Sequence, residues 1–260
     1  MMLSILPLIL PLLSCVSGLP TASTTAGTAI ESRQNSVAIN VLLAFISKLF
    51  PVNILVNDVG DLIEGAEKVF ADIAGFDTDE NDLLTGKCGD VVIIYARGTT
   101  EPGNVGSLTG PPFFTAVQNR LSANGKTLAV QGVDDYEADV TGFLEGGDAK
   151  GSQRMSVLVT QAFKQCPSSK IVMSGYSQGS QVVHNAAKLL PASTMSAVSS
   201  IVMFGDPLNG SAVQGANSEK VLTVCHAGDN ICDHGDFILL PHLTYLIDAD
   251  NAADFVIAHI

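Results

Sequence analysis

Gly175-Tyr176-Ser177-Gln178-Gly179 sets a serine hydroxyl between two glycines. This is the pattern of a nucleophile elbow, a sharp turn from strand into helix that carries a serine at its tip in a strained backbone conformation. A side chain at either glycine would clash with the adjoining strand or helix. Alone the pattern is weak in a chain with 24 glycines. Its flanks sharpen it: Ile171-Val172-Met173 reads as a strand directly before it, and Gln181 to Leu190 as a helix directly after it.

A serine hydroxyl is a poor nucleophile at neutral pH. It needs a general base, and the base needs an acid to orient it. The expected chain order is serine, acid, histidine, and five histidines compete. His184 lies two turns along the elbow helix, about 10 Å from Ser177, which is too far. His226 follows a strand and reads as structural. His259 lies at the C-terminal tail. His234 is a real competitor. His242, in Pro241-His242-Leu243, lies on a late loop that can swing an imidazole over the edge of a sheet, and it is the favoured base. For the acid, Asp229 lies between Cys225 and Cys232, where a disulfide would hold it rigidly. Asp206, in Gly205-Asp206-Pro207, is the rival, with a turn before proline as its alternative role. The tetrahedral intermediate of acyl transfer needs two donors for its oxyanion. One is the N–H of Gln178. The other is expected from the loop Arg97 to Gly103, where Thr99 offers both an N–H and a hydroxyl.

These groups need a scaffold. Val91 to Ala96 is a continuous apolar run, as expected of a strand buried on both faces, and Leu128 to Gln131, Ile171 to Ser174, Ile201 to Phe204 and Val221 to Val224 read as further strands. Helical spacing fills the gaps at Phe113 to Ala123, Ser152 to Gln165, Ser180 to Leu190 and Asn251 to His259. Alternating strands and helices predict a three-layer α/β fold with a central, mostly parallel sheet. An N-terminal helical segment precedes it. There, apolar residues recur at helical spacing from Ser36 to Gly75, broken by Pro51, and an acidic linker follows from Phe76 to Gly86.

The bulk properties restrict the partners. Thirteen basic against 26 acidic residues give a net charge of −13, which repels phosphate backbones and anionic membranes. A neutral substrate fits better than nucleic acid. Met1 to Leu13 is almost wholly apolar, and Val16 and Gly18 suit a signal-peptidase site, so residues 1–18 read as a signal peptide of an exported chain. The stretch falls short of a membrane span. Removal of Cys15 with the signal leaves Cys88, Cys166, Cys225 and Cys232. That even number suits two disulfides with three possible pairings. Cys225–Cys232 is the natural local pair, leaving Cys88–Cys166. The spacings do not suit zinc, and the reading calls for no metal and no cofactor. Asn209-Gly210-Ser211 is an N-glycosylation sequon, usable in an exported chain.

Four segments together resemble the cutinase family, the small secreted serine esterases of fungi: Ile94 to Glu101, Gly175 to Gly179, Cys225 to Cys232 and Pro241 to Tyr245. The resemblance covers about Cys88 to Ile260. It implies a compact α/β-hydrolase fold, nucleophile Ser177, acid Asp229, base His242, an oxyanion hole from Thr99 and Gln178, and disulfides Cys88–Cys166 and Cys225–Cys232. Thr99 stands where the commonest members have serine. The helices at 36–75 have no counterpart in it.

The expected organisation is a signal peptide at 1–18, a disordered stretch from Leu19 to Gln34, a helical accessory or pro-segment and linker up to residue 86, and a catalytic domain at 87–260. The expected function is hydrolysis of aliphatic esters, with insoluble cutin-type polyester as substrate and a monomer as the working form. Leu239, Leu240 and Leu243 are candidates for the acyl side. An acetylxylan esterase, a catalytically silent binding protein on a hydrolase scaffold, and a lipid-interface protein are the alternatives. The helices are expected to be an accessory or pro-segment, so that a chain starting near Asp82 would fold and hydrolyse soluble esters at nearly the full-length rate.

Overall fold

The computed structural model of the chain describes residues 54–55 and 60–260, with side chains at Leu55 and from Glu67 onward. The signal-peptide reading of 1–18, the stretch 19–34 and the first expected helix lie outside the described residues.

Five parallel strands form the central sheet: β2 (Val91–Ala96), β3 (Leu128–Gly132), β4 (Lys170–Tyr176), β5 (Ser200–Phe204) and β6 (Val221–Val224), in the order β3-β2-β4-β5-β6. All six residues of β2 are buried, and they alternate between the two layers. Val91, Ile93 and Tyr95 enter the core beneath α2 (Gly110–Ser122) and α7 (Ala249–Ala258). Val92, Ile94 and Ala96 enter the core beneath α4 (Ala149–Gln165) and α5 (Gln178–Leu189), which a short α6 (Ala192–Ala197) follows. This is the α/β-hydrolase arrangement, and it explains the uninterrupted apolar runs. Local chemistry sets the helix starts. Pro111 and Pro112 open α2, Asp148 caps α4 by accepting the Gly151 N–H, and Asp139 does the same for the short α3 (Val140–Leu144) with the Gly142 N–H. Cys88–Cys166 and Cys225–Cys232 are both bonded.

The chain leaves β2 for β3 on one side and returns past β2 to β4 on the other. The carboxyl ends of β2 and β4 therefore flank the crevice where the winding direction reverses, which is where open α/β sheets place their ligands. The loop holding Thr99 follows β2, and Ser177 follows β4.

Residues 60–86 differ from the expected appendage. Helix α1 (Gly60–Ala74) lies in the same compact unit as the sheet, and its Phe70 and Ala71 are buried, Phe70 within the α2/α7 core. The acidic stretch after it is pinned to the body by its backbone. Asp82 donates its N–H to Val130, Gly132 donates to the Glu80 carbonyl, and both Asn104 and Val105 donate to the Thr78 carbonyl. Backbone pairing of this kind leaves no mark on side-chain composition, so the sequence reads as a linker. A two-residue strand, β1 (Ile54–Leu55), also pairs antiparallel with β7 (Phe237–Ile238).

A chain starting at Asp82 is accordingly expected to be strongly destabilised, with loss of the Phe70 side chain alone costing about 3–5 kcal/mol. A domain's whole stability is about 5–15 kcal/mol. Thermal midpoints of chains starting at Gly60 and at Asp82 provide the check. Equal midpoints would show that α1 and the stretch after it contribute nothing to the core.

Candidate active site

The elbow shows the geometry that its glycines require. Ser177 has φ 54° and ψ −120°, a left-handed conformation that is strained for a side chain other than glycine. Its N–H donates to the Phe204 carbonyl at 2.9 Å, anchoring the turn to β5. A Cβ on Gly175 would lie 2.3 Å from the Gly179 carbonyl oxygen, and one on Gly179 would lie 2.0 Å from that of Ala96. Only glycine lets α5 start this close to the end of β2.

Ser177 Oγ lies 2.9 Å from His242 Nε2, and His242 Nδ1 lies 2.8 Å from Asp229 Oδ2. An ionised carboxylate only accepts, so Nδ1 carries the proton and Nε2 is left to accept from the serine hydroxyl. Ser177 keeps 6% of its surface exposed and His242 keeps 2%. Tyr176 fixes the imidazole from one side. Its ring stacks on that of His242 with centroids 5.2 Å apart, and its hydroxyl donates to the His242 carbonyl at 2.9 Å. Burial alone would raise the proton affinity of Asp229. Hydrogen bonds from His242, Tyr245 and the Ile231 N–H, together with the charge of His242, outweigh it and hold this carboxyl below the usual carboxylate range.

The rival residues are engaged elsewhere. Asp206 faces His184 Nε2 at 3.0 Å in a buried pair behind the elbow helix. His234 turns its Nδ1 to the Pro207 carbonyl at 2.8 Å, and His259 turns its own to the Phe255 carbonyl at 2.8 Å. His226 faces Asp248 at 2.6 Å.

The loop after β2 is braced on all sides. Arg97 donates to the carbonyls of Glu101, Tyr136 and Glu137 and lies over the Tyr136 ring. The buried Glu101 carboxylate accepts the N–H groups of Gly98, Ser107 and Leu108. Burial raises the proton affinity of Glu101; these three bonds and Arg97 offset this only in part. Gln178 Nε2 donates to Thr99 Oγ1 at 3.0 Å and to the Asp139 carbonyl at 2.7 Å. Sequence reasoning did not single out Arg97, Glu101, Tyr176 or the side chain of Gln178 as braces. A carboxylate inside a glycine-containing turn was the available signal for Glu101.

The Cutinase family profile matches residues 87–260, two thirds of the chain. The chain belongs to the cutinase family. A cutinase of Trichoderma harzianum is 48% identical over 226 residues, covering 87% of this chain and 88% of that one. The solved structure of a Trichoderma reesei cutinase in complex with a phosphonate inhibitor is 43% identical, covering 86% of this chain and 98% of that one, with a TM-score of 0.70. An acetylxylan esterase structure covers 66% of this chain and 99% of its own at 24% identity and a TM-score of 0.51, a likeness of fold alone.

Proposed function

We propose that this member of the cutinase family hydrolyses the ester bonds of cutin-type aliphatic polyester through an acyl-enzyme on Ser177. The hydrogen-bonded line Ser177–His242–Asp229 carries the reading. Ser177 Oγ attacks the ester carbonyl as His242 Nε2 takes its proton. The oxyanion that forms is received by the Gln178 N–H and by Thr99. His242 returns the proton to the leaving alkoxide, and water then repeats the sequence on the acyl-enzyme. Asp229 keeps the Nδ1–H tautomer and balances the imidazolium charge.

A small apolar cluster lies in elements beside the site. Phe143 and Ile231 are buried in contact, with Val140 and Ile238 packed against them. The first two elements involved are α3, next to the Asp139 carbonyl that anchors Gln178, and the loop carrying Asp229. Leu243, a candidate from the sequence, belongs to the α2/α7 core instead, and Leu240 is exposed. Rates on p-nitrophenyl esters from acetate upward, and monomer release from polyester film, test the reading. A maximum at butyrate or longer with release from the film supports it. Activity confined to acetate and acetylated xylan would replace it with an acetylxylan esterase. Failure to react with a fluorophosphonate would replace it with a silent binding protein.

The same reading takes the chain to be exported and to work as a monomer. Disulfides persist in oxidising compartments, and among the described residues no helix is long and apolar enough to cross a membrane. Asn209, in a half-buried turn after β5 with exposed Gly210 beside it, is the proposed glycan acceptor. The region 19–86 is proposed to be processed or accessory only upstream of β1, because β1 pairs with β7 and α1 and the residues after it pack into the body.

The oxyanion role of Thr99 has its own test. Gln178 donates to Thr99 Oγ1, so the threonine proton stays free to point at the oxyanion. Thr99→Ser is expected to remain active. Thr99→Val is expected to lose about 10²-fold in kcat. Equal rates in the two variants would leave the backbone N–H as the only donor from this residue.

A further inference from the structure

Tyr245 and His226 lie outside the residues given roles above, yet both are locked against them. The Asp229 side chain is fully buried, so water cannot replace a missing donor. Its Oδ1 accepts the Ile231 N–H at 3.0 Å. Its Oδ2 accepts two donors, His242 Nδ1–H at 2.8 Å and the Tyr245 hydroxyl at 2.5 Å. A phenol has one proton to give. The other side of this phenol oxygen receives the His226 backbone N–H at 3.0 Å, which commits the proton to Asp229. The Tyr245 ring, 1% exposed, stacks on His226 with centroids 4.2 Å apart and stands edge-on to His242 at 6.0 Å.

His226 is fixed in turn. Its Nε2 faces the Asp248 carboxylate at 2.6 Å, and its Nδ1 faces the Pro241 carbonyl at 2.9 Å, with the Thr244 hydroxyl beside it. Pro241 directly precedes His242, and Asp248 directly precedes α7. One imidazole therefore joins the start of a core helix, the backbone next to the base, and the phenol that reaches the acid.

We propose that Tyr245 is a positioning residue for ester hydrolysis, holding the Asp229 carboxylate through its hydroxyl, and that His226, clamped between Asp248 and Pro241, keeps Tyr245 and the His242 loop in register. The proposal rests on the assignment of Ser177, His242 and Asp229 made above. As Ser177 gives up its proton, positive charge develops on His242 beside Asp229. The Tyr245 donor stops the carboxylate from turning about its side-chain bonds. It also draws on the carboxylate's charge, so that the Nδ1 proton stays on the imidazole. Nearest Asp229, the titratable groups are His242 and Tyr245; Asp248 faces His226, and its charge also bears on Tyr245.

Tyr245→Phe keeps the ring and removes one O–H. On a soluble p-nitrophenyl ester, kcat is expected to fall about tenfold, the effect of losing one charge-assisted hydrogen bond in the transition state, with KM essentially unchanged. The freed carboxylate becomes more basic and holds the imidazolium more tightly, so the acidic limb of the kcat/KM profile should move to higher pH. His226→Phe keeps the stack and the backbone N–H but removes both ring nitrogens. Its kcat is expected to fall by a smaller factor, and it serves alone if Tyr245→Phe fails to fold. Wild-type kcat and an unmoved profile in the folded variant would overturn the proposal. So would a lower kcat and thermal midpoint with the profile unmoved, the signature of a structural role. Ser177→Ala, measured alongside, separates the two levels. If it is inactive while the tyrosine variant behaves as wild type, only this inference fails. If it is active, the assignment beneath fails as well.

Discussion

Purified Ser177→Ala is expected to lose about 10⁴-fold or more in kcat on soluble esters while keeping its fold. The substitution removes one oxygen and no core packing. The elbow stays anchored because the Ser177 N–H, not its side chain, donates to Phe204, and because Gly175 and Gly179 still admit the close contact with β2. Burial of Gln178, at 0% exposure, and its bonds to Thr99 and Asp139 do not depend on the hydroxyl, so the oxyanion donors remain. A small residual rate from those donors is expected. Circular dichroism and thermal midpoint should match the parent, and steady-state kinetics decide the matter. A variant that kept a substantial fraction of the parental kcat would remove Ser177 from the mechanism.

His242→Ala is expected to cost several orders of magnitude in kcat, and Asp229→Asn about 10⁴-fold. The second loss follows from the proton inventory. Asp229 Oδ2 accepts from both His242 and Tyr245, and Oδ1 accepts from Ile231. An amide has only one oxygen, so its NH₂ must face one of these donors. If it faces His242, the imidazole has to accept at Nδ1, and Nε2 then carries a proton and cannot take one from serine. His234→Ala and Asp206→Asn provide the contrast. Asp206 pairs with buried His184, so Asp206→Asn should lower the thermal midpoint with a far smaller effect on kcat. His234→Ala frees only the Pro207 carbonyl. An essential His234 and a dispensable His242 would move the base to the other loop.

The strands of the central sheet were legible because they are short, mostly apolar runs, and β2, buried along its whole length, is apolar throughout. Val91–Ala96 and Val221–Val224 begin and end where their composition changes. Helix ends were less legible: α5 starts at Gln178, two residues before the periodicity begins, because the strained turn at Ser177 and not an apolar residue sets its start. Helix α3 was invisible, since five residues are too few to show a period. The elbow and the loop residues of the site stood out because their chemistry demands particular residue types at fixed spacing. What braces them did not. Glu101 works through backbone N–H groups, and Tyr245 reaches Asp229 across 16 residues of chain. Such contacts depend on how loops close, which no local pattern encodes. Residues 76–86 read as a linker for the same reason. Four acidic side chains suggest solvent, while the backbone beneath them bonds to β3.

The order of the site along the chain has a consequence for biosynthesis. Ser177 follows the third strand of the central sheet, whereas Asp229 and His242 follow the fifth, and Tyr245 and Asp248 come later still. Arg120 of α2 reaches forward to Asp250 and Asp254 on α7, so the last helix closes a core opened some 130 residues earlier. A domain generally folds as a unit, and synthesis delivers its N-terminal side first. On the proposed roles a growing chain carries its serine before it has a base to activate it, and esterase activity is expected only once the final loop and helix have docked. Ester-bearing molecules at the site of synthesis would then meet an inert precursor.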